Sequence, residues 1–213
     1  MKSILSGNQG IADKNREVYR ADKLHLLNVM ASPGSGKTSL IMRLLPELEK
    51  TVQCGVIEGD IASSIDADKF EKMGIPVVQI NTGGGCHLDA AMIAESVPDL
   101  DLGSHALIFI ENVGNLVCPS GFDLGENTKL LVVSIPEGDD KPYKYLDMFE
   151  TADIIVLNKT DILPHFDFDM EYFYKGVRAL NANAPVFELS CKTGDGIKAL
   201  AEYIENIQQV YIS

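Results

Sequence analysis

Residues 26–48, LLNVMASPGSGKTSLIMRLLPEL, pass from an apolar run through a glycine-rich turn into a helical pattern. Within them ASPGSGKT (31–38) matches the P-loop pattern G-x-x-x-x-G-K-S/T at every fixed position but the first, where the small Ala31 replaces glycine. Gly34 and Gly36 let the backbone curl until successive N–H groups face one point, onto which a helix N-terminus also opens. Such a concavity binds phosphate oxygens. Pro33, Gly34, Ser35, Gly36, Lys37, Thr38 and Ser39 are therefore the candidate cradle, with Lys37 reaching the β and γ phosphates and the Thr38 hydroxyl on Mg²⁺.

Outward from this turn, short runs rich in Val and Ile recur at 26–31, 55–57, 77–80, 106–110, 130–135, 154–157 and 186–189. They are apolar on both faces, as buried parallel strands are. Helical patterns separate them at 37–50, 63–73, 88–96, 144–150, 169–179 and 196–210. This alternation predicts an α/β P-loop NTPase with a mostly parallel sheet and helices on both faces. Residues 24–213 read as that one domain. Residues 1–23 are polar, with Ile11, Asn15, Val18 and Tyr19 loosely at helical spacing, and predict an N-terminal helical extension.

Composition narrows the partners. A formal charge of −13 and a pI near 4.6 repel phosphate backbones, so nucleic acid is not expected. No apolar stretch is long enough to span a membrane, and no signal-like run follows MKSILSG. Cys54, Cys86, Cys118 and Cys191 are scattered, with no C-x-x-C pair, which predicts reduced thiols and a cytoplasmic location.

Two further motifs bear on the nucleotide. IIVLNKTDIL (154–163) places Asn158-Lys159-Thr160-Asp161 after a predicted strand, and the tetrad resembles the guanine-reading N-K-x-D of GTPases. A carboxylate at Asp161 accepts two parallel hydrogen bonds from guanine N1–H and N2–H₂, donors that adenine lacks. The Lys159 stem would cover the base and Asn158 would brace the loop. LSCKTG (189–194) resembles the S-A-K loop, with Cys191 in the alanine position; Ser190, Cys191 and Lys192 would approach guanine O6 through their N–H groups. GTP and GDP are the expected ligands.

On the magnesium side, GVIEGD (55–60) ends in Asp60, and Glu111-Asn112-Val113-Gly114 resembles the D-x-x-G switch with glutamate for aspartate. Gly114 can offer its N–H to the γ-phosphate, while Thr38, Asp60 and Glu111 hold Mg²⁺. Lys37, Thr38, Asp60 and Glu111 are thus assigned to the chemistry. Asp66 and Asp68 read as helix-start acids. No glutamine follows E-N-V-G to orient a water, which predicts slow intrinsic turnover that waits on a second chain or a partner.

The ordered set NREVYRADKLHLLNVMASPGSGKT (15–38), TGGGCHLDA (82–90), FIENVGNLVCP (109–119) and LNKTD (157–161) resembles the HypB family, the nickel-incorporation GTPases of nickel–iron hydrogenase maturation. The resemblance runs from about Asn15 onward. The C-P-H metal motif of the related urease accessory GTPase UreG is absent. The resemblance implies that Cys86, His87 and Cys118 form one metal site, and the element pattern gives the same grouping. Both cysteines follow strands and emerge at the carboxyl edge of the sheet. Thiolate and imidazole suit Ni²⁺ and Zn²⁺ rather than Mg²⁺. Three ligands leave such an ion unsaturated, so a two-fold homodimer would complete its coordination across the interface.

The resemblance further implies a nickel-binding HypA-like protein and the hydrogenase large subunit as partners. Residues 1–30 contain no cysteine and only His25, so neither the N-terminal cysteine motif nor the histidine-rich stretch of some relatives is expected. His25, His105 and His165 read as isolated. The alternative is a regulatory GTPase switch whose dimer-interface zinc is structural; a kinase on the same cradle is disfavoured by N-K-T-D.

Overall fold

The computed structural model describes residues 2–60 and 65–212. The chain begins with helix α1 (Lys2–Ala21). Strand β1 (His25–Ala31) follows, then helix α2 (Lys37–Leu48), β2 (Cys54–Asp60), α3 (Ile65–Lys72) and β3 (Val77–Asn81). After α4 (Ala90–Ser96) come β4 (Leu107–Glu111), β5 (Thr128–Ser134) and the short helices α5 (Lys141–Lys144) and α6 (Leu146–Thr151). β6 (Ile154–Asn158), α7 (Met170–Leu180), β7 (Val186–Glu188) and α8 (Ile197–Ile212) complete the order. The seven strands form one sheet in the order β3-β2-β4-β1-β5-β6-β7, and every pairing is parallel.

Side-chain alternation explains the layering. In β1, Leu27, Val29 and Ala31 join Leu40, Leu44 and Leu48 of α2 and Leu200 and Ile204 of α8 in one cluster. Leu26 faces the opposite layer with Tyr19 of α1 and Ile93 of α4, and Met30 packs with Phe149 of α6 and Phe173 of α7. Both faces of the five central strands, β2, β4, β1, β5 and β6, are therefore largely dry. This is why their sequence reads as a continuous apolar run rather than an alternation.

The expected elements shift in instructive ways. β2 runs to Asp60 and not to Ile57, because the polar Glu58 that interrupts the apolar pattern is itself buried. The helix expected over 88–96 begins at Ala90, since the Asp89 carboxylate accepts from Met92 N at 2.9 Å and caps it. That over 144–150 is two helices broken at Tyr145, whose φ of −126° and ψ of 57° are not helical. The start of the one expected over 63–73 lies outside the described residues. In α1 the buried face is Ala12, Asn15 and Tyr19, whereas Ile11 and Val18 are exposed. Asn15 is buried because its amide donates to the carbonyls of Ala90 and Leu124.

Candidate functional site

Because all the strands are parallel, their carboxyl ends share one edge of the sheet, and the candidate residues gather there. The β1–α2 turn has Gly34 at φ +78° and Gly36 at φ +104°. A Cβ on Gly36 would stand 2.5 Å from Asn158 Nδ2, so this residue has no room for a side chain. No side chain caps α2, which leaves its first N–H groups to a ligand. A cavity of about 490 Å³ lies in front of it, lined by Lys37, Thr38, Glu58, Asp60, Asp66 and Glu111 among others.

Inside that cavity Thr38 Oγ1 donates to Glu111 Oε1 at 2.7 Å and lies 3.1 Å from Asp66 Oδ2. Strand register places Glu58 beside Glu111. Both are buried, and each keeps one carboxylate oxygen without a hydrogen-bond partner. Burial pushes Glu111 up to about 7 against the pull of Lys37 and Thr38. Burial, then the neighbouring Glu111, pushes Glu58 up to about 8. Crowded carboxylates, each with one unpartnered oxygen, beside a threonine hydroxyl match the oxygen donor set that Mg²⁺ prefers. Asp66 differs from its expected role as a helix-start acid alone. It stands in the first turn of α3, pairs with Lys69 Nζ at 2.5 Å, and also reaches Thr38.

Two carboxylates here were missed by sequence reasoning. Glu58 lay hidden within an apolar run. Glu137 accepts from Ser35 Oγ at 2.7 Å and from Ser134 N and Oγ at 2.8 Å each, and it also binds Ser32 Oγ. It thereby holds the wall of the cradle. The S-x-x-E spacing of Ser134 and Glu137, a capping-box signature, was the available signal.

The base loop is tied to the cradle. Asn158 Nδ2 donates to Ser35 O at 2.9 Å and Lys159 Nζ to Gly34 O at 2.6 Å. Asp161 Oδ1 accepts from Ser190 Oγ at 2.7 Å. A cavity of about 330 Å³ separates Gly36 and Ser39 from Asp161, Cys191 and Lys192. The N–H groups expected to meet a base are engaged within the loop. Cys191 N donates to Asn158 Oδ1 and Lys192 N to Ser190 Oγ, both at 3.2 Å. The Asn158 and Ser190 side chains fold back on the backbone as turn-forming acceptors do.

The third cluster joins two loops distant in sequence. One ligand atom each from Cys86, His87 and Cys118 lies within 4.8 Å of the others. Gly83 (φ +59°) and Gly84 (φ +102°) make the turn that carries the first two. Cys86 Sγ is 3.5 Å from His87 Nδ1, and the His87 ring stacks on Phe122 at 3.7 Å. A hydrogen bond with Cys118 pushes the Cys86 thiol up. Desolvation lowers the His87 imidazole against the pull of Asp89, favouring the neutral, metal-ligating form. Two sulfurs and an imidazole suit a divalent transition ion. His25 is buried against Thr128 and His105 and His165 are exposed, so all three stand apart from this cluster.

Gly114 connects the phosphate cradle and the third cluster. A Cβ there would stand 3.2 Å from Pro33, so the β4 loop rests on the phosphate cradle through a glycine. The same loop carries Cys118 four residues later.

Comparison with known proteins agrees with this architecture. A hydrogenase maturation factor HypB of Azotobacter vinelandii is 47% identical over 204 residues, covering 96% of this chain and 67% of that protein. The crystal structure of HypB from Helicobacter pylori in complex with nickel superposes with a TM-score of 0.89 at 34% identity, covering 97% of each chain. HypB from Archaeoglobus fulgidus gives a TM-score of 0.88 at 37% identity, over 95% of this chain and 99% of that one. Residues 25–188 match the CobW/HypB/UreG nucleotide-binding domain. The chain belongs to the HypB family of that nucleotide-binding group.

Proposed function

We propose that this protein is a GTP-hydrolysing nickel chaperone that helps insert nickel into nickel–iron hydrogenase, holding the ion at a GTP-dependent interface between two copies of the chain. The observation that carries this reading is one short segment with two ends: Gly114 lies against Pro33 of the cradle, and Cys118 lies with Cys86 and His87. The Helicobacter pylori HypB crystallised with nickel is the kind of cargo precedent that supports Ni²⁺ here.

In this reading Lys37 and the α2 N–H groups bind the β and γ phosphates, and Pro33, Gly34, Ser35, Gly36 and Ser39 shape the pocket around them. Asn158 and Lys159 hold the base loop on the cradle, Asp161 reads guanine, and Ser190, Cys191 and Lys192 close that side. Mg²⁺ would be held by Thr38, Asp60 and Glu111, joined by Asp66, and would neutralise charge on the terminal phosphates. Gly114 senses the γ-phosphate. Cys86, His87 and Cys118 hold the cargo ion, Ni²⁺ or Zn²⁺, and a second copy completes its coordination. A HypA-like protein and the hydrogenase large subunit are the partners this role requires. A reducing compartment such as the cytoplasm keeps the thiols available.

The test pairs two substitutions. Wild type should release phosphate from GTP with no added acceptor, at least about a hundredfold better than from ATP. Lys37→Ala should abolish hydrolysis and keep the Ni²⁺ stoichiometry, whereas Cys118→Ala should keep GTP binding and lose Ni²⁺. Equal use of ATP and GTP, or Cys118→Ala with unchanged Ni²⁺ affinity, contradicts the reading.

A further inference from the structure

Two asparagines flank the glycine that touches the cradle, and each is bonded across to the loop carrying Cys86 and His87. Asn115 Nδ2 donates to Cys86 O at 3.5 Å, while its Oδ1 accepts from Val117 N at 2.8 Å and Cys118 N at 3.4 Å. Asn112 Oδ1 accepts from Val113 N at 2.9 Å and from Leu88 N at 3.3 Å. The Cys86–His87 pair is therefore held on both sides, by its own carbonyl and by the next amide. Among the described residues no main-chain hydrogen bond joins these two loops. Side chains carry the polar connection.

The Asn112 end is anchored in the core. It is buried, and its Nδ2 donates to Asn28 Oδ1 at 3.2 Å; Asn28 in turn donates to Glu126 Oε1 at 3.1 Å. Asn28 lies on β1, the strand that leads into the cradle. The Asn115 end is half-buried and sits on the stretch between Gly114 and Cys118. One end is fixed to the sheet and the other is free to follow the loop. A shift of residues 113–114 would act on Cys118 through Asn115 Oδ1 and on Cys86 through its Nδ2.

We propose that Asn115, with Asn112 as its fixed counterpart, is a positioning residue that transmits the nucleotide state at Gly114 to the spacing of Cys86, His87 and Cys118. This rests on the proposed function, in which those three side chains hold Ni²⁺ and Gly114 senses the γ-phosphate. Asn115 lies outside the lining of the nucleotide cavity, Asn112 stands at its wall, and neither belongs to the Cys86–His87–Cys118 set. Their effect is on the coupling between the sites and not on either affinity alone.

Asn115→Asp isolates the contact, because a carboxylate still accepts from Val117 and Cys118 but has no donor for Cys86 O. Asn115→Ser keeps a turn-forming acceptor without the added charge or the reach. The measurement is the Ni²⁺ dissociation constant of the full chain with GDP and with a non-hydrolysable GTP analogue, alongside nucleotide affinity. Wild type should show a ratio between the two states of about fivefold or more. Both variants should bind one nucleotide and the wild-type complement of Ni²⁺, with that ratio reduced to within about twofold. A wild-type ratio in either variant overturns this inference and leaves the proposed function standing. A wild-type ratio of one overturns the proposed coupling itself.

Discussion

Asp161 has one carboxylate oxygen fixed by Ser190 Oγ at 2.7 Å, while Lys192 Nζ stands 4.0 Å from the other. Ser190 thus sets the rotamer that guanine N1–H and N2–H₂ would meet. A pair of hydrogen bonds to a carboxylate is worth a few kcal/mol, so Asp161→Asn should weaken GTP binding by about tenfold to a hundredfold. The same change should admit xanthosine triphosphate, whose ring offers an acceptor at that edge. Competition binding checks this, and unchanged discrimination against the xanthine nucleotide would remove Asp161 from the role. At this scale the motifs in the sequence picked out Lys37 and Asp161, which the fold brings to the two cavities. The sequence hid Glu58, a buried carboxylate beside Glu111 that strand pairing reveals, and Glu137 showed only as a capping-box acid, with its bonds to Ser32 and Ser35 supplied by the fold. Phe122, stacked on His87, was invisible for the same reason.

Among the elements, β1 begins with a histidine that the fold keeps neutral. His25 is buried, its Nε2 is 2.8 Å from Thr128 Oγ1 on β5, and its ring lies 5.3 Å from Tyr211 of α8. Burial lowers its imidazole to about 4, with the nearby Gln208 side chain opposing. Between pH 6.5 and about 4 the unfolded chain therefore binds a proton that the folded chain refuses. Stability is full above that window and falls as pH drops through it, by an amount on the order of 3 kcal/mol. Urea midpoints measured from pH 7 to 4.5 should fall more steeply for wild type than for His25→Gln, and parallel slopes would show that His25 does not titrate in this way. Element existence was legible because the central strands are largely apolar on both faces. Element ends were less so: the Asp89 cap and the break at Tyr145 are local backbone events that apolar periodicity does not mark, and the polar Asn15 on the buried face of α1 depends on the distant carbonyls of Ala90 and Leu124.

For the whole molecule, the strand order explains why nucleotide and metal can share machinery. β4 lies between β2 and β1, so its loop borders both the carboxylate strand and the cradle, while β3, with the Cys86–His87 turn, lies just beyond β2. The base loop stands on the other side, after β6. Alternating strands and helices in the sequence predicted a parallel sheet; that sheet order also brings Cys118 to Cys86 follows from crossovers that spacing alone does not specify. Three donors per chain leave a divalent ion unsaturated, so in the proposed function a second copy of the chain completes the site. The most direct measurement is Ni²⁺ titration of separated monomer and dimer, each with GDP and with a non-hydrolysable GTP analogue. The account predicts one tightly held ion per two chains, on the dimer, with an affinity that changes between the nucleotides. One ion per chain on the monomer, held equally in both states, would contradict it.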